Sequence, residues 1–189
     1  GAEPFQIWGG TQDNASLVAP SNVNLTPGGP DAWEQIFLDR WSGGDGFSSF
    51  PDPFDPSIVY WTQQQGDLRR GTRGELRRSK HVRPKGRGLR FTWDTPYMAS
   101  QHTEGVLYCA AENVFRSSDR GDGWEAIGPE PWGGSILALC ESSLDPKRLV
   151  TGTGGGRVQL TSDGGTTWER AGEGLPPRRV TDVVTSVHD

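Results

Sequence analysis

The sequence predicts an all-β protein built from repeated four-stranded units. Two copies of one short pattern, Ser/Thr-x-Asp-x-Gly-x-x-Trp, begin at Ser117 and Thr161, an offset of 44 residues. The 189-residue chain is rich in glycine (27) and proline (14) and only 32% hydrophobic, a composition that suits short strands joined by many turns. A fixed period of ~40–50 residues is typical of a propeller or an array of repeats.

Each copy of the pattern is interpreted as a hairpin turn. The aspartate can accept hydrogen bonds from backbone N–H groups that follow it, and the glycine adopts backbone angles that other residues avoid. The tryptophan begins the next strand and packs a large apolar face. The residues given this structural role are Ser117, Asp119, Gly121 and Trp124 in the first copy and Thr161, Asp163, Gly165 and Trp168 in the second.

The pattern resembles the Asp-box, or BNR, repeat of sialidases, sortilin-like receptors and glycosyl-hydrolase-like secreted bacterial propellers. In that family the box joins the third and fourth strands of a β-propeller blade, away from the ligand face, which implies a structural role here. Further similarity to large sortilin-like bacterial propellers lies at residues 9–14, 43–46, 89–96 and 114–122. The resemblance implies a β-propeller segment, about four blades of a larger ring.

Short strand-like runs bounded by turn residues divide the chain into blades. The expected divisions are a partial blade at 1–40, a blade without a box at 41–88, blades with boxes at 89–130 and 131–174, and a first strand of the next or closing blade at 175–189. In the blade without a box, residues 66–70 and 75–78 are expected to form the outer hairpin. The first blade begins with a second strand, at residues 5–8.

The expected strand at residues 181–187 needs a partner, because an unpaired strand edge invites pairing with another chain. Pairing with residues 5–8 of the same chain would close a four-bladed ring. Pairing with a strand of another polypeptide would belong to a larger ring, which the family resemblance favours.

Three carboxylates are candidates for chemistry. In the enzymes of this family, acids lie where inner strands begin, and Asp45, Asp94 and Asp182 each lie beside the expected start of an inner strand. Glycoside hydrolysis needs one protonated and one ionised carboxyl group about 5–9.5 Å apart. The alternative, which we favour, is that these residues line a water-filled channel, and no catalytic residue is assigned.

The basic residues are concentrated in one stretch. Ten of the nineteen lysines and arginines lie between residues 69 and 90, although the whole chain carries a net charge of −5. An anionic partner could bind there, and charge on an outer edge also blocks unwanted strand pairing. No aromatic residue interleaves with these charges before Phe91, which argues against nucleic acid. The residues of this anionic-partner patch are Arg69, Arg70, Arg73, Arg77, Arg78 and Lys80.

Other classes of site have little support. The three histidines are scattered, so no metal and no cofactor is expected. Cys109 and Cys140 lie in expected strands and are interpreted as buried free thiols rather than a disulfide. No apolar run approaches the ~18 residues that a membrane span requires.

The sequence therefore favours a non-catalytic binding or scaffold module. Its expected partner is a protein, such as the remainder of its own propeller or a larger complex, with a glycan as the second class of partner. The alternative is a glycoside hydrolase of the Asp-box propeller type that uses channel-facing aspartates. The family resemblance implies a secreted, periplasmic or cell-surface location.

Overall fold

The computed structural model describes residues 4–23, 29, 32–36, 44–75, 78–128 and 134–188. The chain divides into two compact units, Gly1–His81 and Val82–Asp189. The described residues form four antiparallel sheets of three or four strands, which confirms the all-β prediction. Within the described ranges the helical structure is the 3-10 turn Gln64–Gly66 and 3-10 geometry at Arg78, and no helix is long and apolar enough to span a membrane.

The first unit contains two sheets. The first sheet has the order β1-β2-β3 and the second has the order β4-β5-β6-β7. The strands are β1 Gln6–Gly10, β2 Ser16–Pro20, β3 Glu34–Ile36, β4 Gly46–Pro51, β5 Ile58–Gln63, β6 Asp67–Thr72 and β7 Lys80–His81.

The core of the first unit lies between its two sheets. Val18 and Ile36 of the first sheet pack against Val59 and Trp61 of the second, and Trp8 covers the cluster. Trp61 is fully buried, so this aromatic side chain alone removes roughly 200 Å² of surface from water. Val18 and Ile36 therefore mark the internal face of the first sheet, whereas β5 of the second sheet is buried on both faces.

The second unit contains the third and fourth sheets. Their orders are β8-β9-β10-β11 and β12-β13-β14-β15, so sequential strands pair throughout. The strands are β8 Tyr97–Ala99, β9 Leu107–Ala110, β10 Val114–Ser117, β11 Glu125–Ala126, β12 Ile136–Glu141, β13 Leu149–Thr153, β14 Val158–Thr161 and β15 Glu169–Ala171.

The two expected boxes connect third to fourth strands within these sheets. The first box lies between β10 and β11, and the second lies between β14 and β15. Two overlapping apolar clusters fill the unit, and Trp168 packs against both of them. The second box is therefore anchored in the core through its tryptophan.

The outer hairpin of the second sheet differs from the sequence prediction. Its fourth strand is Lys80–His81 rather than residues 75–78. The Glu75 N–H donates to the Thr72 carbonyl and the Arg78 N–H donates to the Glu75 carbonyl, and residues 76 and 77 of the expected strand lie outside the described residues. Strand pairing resumes where Lys80 lies opposite Arg70. At the next pair, His81 opposite Arg69, the His81 Nδ1 is 2.8 Å from the Asp67 carboxylate.

The expected strand at residues 181–187 is not formed as a strand. Strand structure requires a partner ladder, and no described strand forms a ladder with these residues. The segment is nevertheless placed on the fourth sheet. The Val180 N–H donates to the Thr153 carbonyl at 3.1 Å, and Val180 and Val183 lie over Gly152 of β13.

Candidate functional site

The outer face of the first sheet carries a hollow of about 510 Å³. One row of directly opposed residues crosses the sheet from Gly9 through Leu17 to Gln35. Because Gly9 has no side chain, the row is deepest at β1. The residues that line the hollow are Ile7, Gly9, Gly10, Thr11, Leu17, Trp33 and Gln35.

This hollow exists because successive residues of a strand point to opposite faces. Trp8 and Val18 point into the core of the first unit, so Ile7 and Leu17 point the other way. Ile7 is 43% exposed and Trp33 is 36% exposed. The outer face of the sheet therefore presents apolar side chains to water, as a binding surface does.

The edge of the same sheet offers backbone groups. Alternate residues of an antiparallel strand bond to the neighbouring strand, and the intervening residues direct their N–H and C=O groups away from it. The Ser21 N–H donates to the Phe5 carbonyl at 2.7 Å. By alternation along β1, the backbone N–H and C=O groups of Gln6, Trp8 and Gly10 point away from β2. No described residue forms a backbone hydrogen bond with these three.

The three candidate carboxylates lie in different units, Asp45 in the first and Asp94 and Asp182 in the second. The Asp45 Oδ1 accepts the Asp13 N–H at 2.9 Å and fastens a turn of the first unit. The Asp182 Oδ1 accepts the N–H of the adjacent Val183 at 2.8 Å. No hydrogen bond or ion pair joins Asp94 to Asp182, and none of the described residues that line the hollow of the first sheet carries a carboxylate.

Asp94 has the property expected of a proton donor. Partial burial raises the pKa of its carboxyl group above 3.8. Desolvation disfavours the charged form, so the proton is retained to a higher pH.

Three members of the anionic-partner patch have partners within the first unit. Arg69 lies 3.4 Å from Asp67, the Arg73 guanidinium lies 5.9 Å from the Trp8 ring centre, and Arg78 lies 4.0 Å from Glu75. Arg70 and Lys80 occupy directly opposed positions of β6 and β7. Arg77 lies outside the described residues, and binding of an anion by this patch stays a prediction.

The two boxes make the same internal hydrogen bonds. The Ser117 hydroxyl donates to Asp119 Oδ1 at 2.8 Å and accepts the Gly121 N–H, and Thr161 makes the same pair with Asp163 and Gly165. These bonds close each turn around its own aspartate. The side chains of the box serines, threonines and aspartates therefore hydrogen-bond within their own turns.

The two box aspartates are held as anions by these bonds. Backbone and hydroxyl donors, led by the Thr167 N–H and the Thr167 hydroxyl, lower the pKa of Asp163 to about 2. The Gly123 N–H and the Ser117 hydroxyl lower the pKa of Asp119. Hydrogen bonds to the charged form favour it, so both aspartates are fixed turn acceptors rather than proton donors.

Sequence reasoning missed the hollow and its lining residues. The signal was present in the first blade, which is expected to begin with its second strand and therefore to have one uncovered edge. Ile7 and Gly9 alternate with Trp8, so they lie on the opposite face of β1. Which of the two faces is outward follows only from the position of the second sheet, against which Trp8 packs.

Comparisons with known proteins identify the fold. An enzyme of the GH74 class from Niastella koreensis superposes with a TM-score of 0.62 at 16% identity, over 89% of this chain and 28% of its own. An ancestral GH74 enzyme gives 0.58 at 12% identity, over 76% and 20%. The computationally designed Ika8 protein gives 0.58 at 12% identity, over 98% and 51%. No protein-family model and no curated protein matches the sequence.

These likenesses confirm the β-propeller fold expected from the resemblance. The four sheets match portions of larger propellers. The chain spans less than a third of the length of the two enzymes. At these identities the similarity describes architecture, and it assigns neither an activity nor a sequence family.

Proposed function

We propose that this chain is a non-catalytic β-propeller module that binds an extended protein segment along the first sheet. The observation that carries the proposal is the coincidence of an apolar hollow with an open strand edge. The backbone groups of Gln6, Trp8 and Gly10 point away from β2, and the hollow lies on the outer face of the same strand.

This arrangement has the two components of recognition by strand addition. Main-chain hydrogen bonds to a sheet edge supply affinity, and a pocket for alternate side chains supplies specificity. The lining is apolar at Ile7 and Leu17 and polar at Gln35, whose side-chain amide donates to the Asn14 carbonyl at 3.0 Å. A segment with alternating valine and threonine residues fits this pattern.

The binding test uses a ten-residue peptide of alternating threonine and valine, titrated against the intact chain and followed by tryptophan fluorescence. The matched control peptide has proline in place of threonine, because proline lacks the N–H that the ladder needs. We expect saturable binding of the first peptide, no binding of the second, and at least tenfold weaker binding by Leu17→Glu. Equal binding of both peptides would overturn strand addition at β1.

A glycoside hydrolase is the second candidate function, and the raised pKa of Asp94 favours it. In that proposal Asp94 donates the proton, and Asp182 supplies the second carboxyl group that the reaction requires. Release of reducing sugar from a panel of soluble polysaccharides would measure the activity. Activity that is lost in Asp94→Asn and in Asp182→Asn, but kept in Asp145→Asn, would replace the binding proposal with hydrolysis.

A further inference from the structure

One backbone hydrogen bond recurs where a first strand meets the sheet before it. The Gly46 N–H at the start of β4 donates to the Thr11 carbonyl at 3.0 Å, just after β1. The Ile136 N–H at the start of β12 donates to the Ala111 carbonyl at 3.0 Å, just after β9. The third instance is the bond from Val180 to Thr153 at 3.1 Å. Val180 therefore occupies the position at which a first strand begins.

The residue before each accepting carbonyl is small, which supports the same equivalence. Gly10 precedes Thr11, Ala110 precedes Ala111 and Gly152 precedes Thr153. A Cβ atom on Gly10 would lie 2.1 Å from the Gly46 backbone, and one on Gly152 would lie 2.3 Å from Val180 Cγ1. The close approach of an incoming first strand explains the small residues at these positions.

The segment that begins at Val180 has one covered face and one open face. Val180 and Val183 lie over Gly152, and the Thr185 hydroxyl lies 3.7 Å from the Cys140 sulfur. Val184 points the other way and is 82% exposed. The segment therefore carries an exposed apolar side chain and has no described ladder partner, and an unpaired edge of this kind can accept a further strand.

The two open surfaces of the chain are complementary. The first sheet has its second, third and fourth strands but no described first strand at the edge of β1. Residues 180–187 have the position of a first strand but no described second strand. We propose that residues 180–187 of one copy pair with β1 of a second copy, which completes the first sheet of that copy. This proposal deepens the binding function above, because it names the extended segment that the first sheet accepts.

The amount of chain that this fold uses elsewhere favours a second copy. The protein aligns over 98% of its length with 51% of the designed propeller, so that propeller has about twice as many residues. A second copy would supply a further 189 residues of the same fold. Two identical head-to-tail junctions would then each pair residues 180–187 of one copy with β1 of the other, which leaves no open strand edge at either junction.

Solution mass is the direct test, measured by light scattering after size exclusion over a range of concentrations. We expect a species of twice the 20.6 kDa chain mass. A monomer at every concentration would overturn the second-copy proposal. Closure within one chain, or completion by other strands, would then be the remaining arrangements.

Two substitutions and one control locate the interface. Val184→Lys and Ile7→Lys each place a charge on an exposed apolar position of one of the paired surfaces, and each should yield a folded monomer. Leu144→Lys is the matched control, since Leu144 is also an exposed apolar residue (52%) but lies in the turn after β12. A dimer that persists in both test variants, or one that dissociates equally in the control, would contradict the assigned surfaces.

Mixing the two variants tests the head-to-tail arrangement. A copy with Ile7→Lys keeps a wild-type residue 184, and a copy with Val184→Lys keeps a wild-type first sheet, so one of the two junctions has both surfaces intact. We expect the mixture to recover a heterodimer that neither variant forms alone. Two monomers in the mixture would overturn head-to-tail pairing.

The second-copy proposal and the binding function fail separately. The threonine–valine peptide is added to Val184→Lys, whose first sheet is unaltered. Binding by this variant, combined with a monomeric wild type, would keep the binding module and reject the second copy. A dimer that responds to both substitutions, combined with no peptide binding, would reject general strand recognition and keep the self-association.

Discussion

The indole N–H of Trp168 donates to the carbonyl of Ile127 at 2.8 Å, across 41 residues of chain. Trp124 makes the same bond to the carbonyl of Val82 at 2.7 Å, across 42 residues. Both tryptophans also lie close to the glycine of their own box, at 3.1 and 3.2 Å. Each box therefore ties its own turn to the segment one repeat earlier.

Loss of either indole bond should reduce stability. Trp124→Phe and Trp168→Phe keep an aromatic ring but leave the carbonyl without its donor, at a cost of about 1 kcal/mol in the free energy of unfolding. Urea denaturation measures the change. Trp93→Phe is the control, since Trp93 is 55% exposed and its loss should leave the free energy unchanged within error. An equal loss in all three variants would contradict a role for the indole bond.

The second box should make stability depend on acid pH. The pKa of Asp163 is about 2 in the folded chain, compared with an ordinary value of 3.8 when the carboxylate is not hydrogen-bonded. The ionised carboxylate therefore stabilises the fold above about pH 4, and this stabilisation is lost as the pH falls toward 2. Thermal unfolding between pH 2 and pH 6 should show this fall. Asp163→Asn should flatten the curve in that window, and an unchanged slope would contradict the assignment.

Adjacent glycines of the second box should differ in their tolerance of alanine. Gly164 and Gly165 both have positive φ, +78° and +97°, but a Cβ on Gly164 meets nothing within 4 Å. A Cβ on Gly165 would lie 2.9 Å from the Ile127 side chain. Gly164→Ala should cost about 1 kcal/mol of backbone strain, and Gly165→Ala roughly 3 kcal/mol because overpacking is added. Chemical denaturation compares them, and equal losses would exclude the contact with Ile127.

The two cysteines should react at different rates. Both are free, which agrees with the sequence interpretation, but Cys109 is buried and Cys140 is only half-buried. Burial raises the pKa of Cys109 to about 12, so its thiol stays protonated at ordinary pH. A thiol reagent at pH 8 should label Cys140 in the native chain and both residues in urea. Cys140→Ser should abolish native labelling, and residual fast labelling would contradict the burial of Cys109.

The strands of the third and fourth sheets follow closely from the sequence, because short apolar runs there end at recognisable turn residues. In the third sheet, however, the turn after the first strand has no Asp-Pro pair. The Ser100 hydroxyl instead accepts the N–H groups of His102 and Thr103, at 3.1 and 3.2 Å. One serine side chain replaces the turn signal, since a short hydroxyl side chain can bond the backbone in the same way.

The parts that could not be predicted depend on contacts between distant residues. A fourth strand is expected at residues 75–78, but the bond from the Glu75 N–H to the Thr72 carbonyl closes a turn and the strand forms at Lys80–His81. The hollow forms on the outer face because Trp8 packs into the core that contains Trp61, which lies 53 residues later in the chain. A single strand pattern cannot state which of its two faces will be covered.

Gly46, Ile136 and Val180 each donate a backbone hydrogen bond to the carbonyl at the end of a second strand. This repeated bond has a consequence for how such a chain can lengthen during evolution. The acceptor is a main-chain carbonyl, and its neighbour need only be small, so neither requirement constrains most of the sequence. A duplicated segment of about one repeat would carry its own acceptor and its own small residue. New units can therefore be added by duplication with each junction already specified, and the units can then diverge almost freely elsewhere.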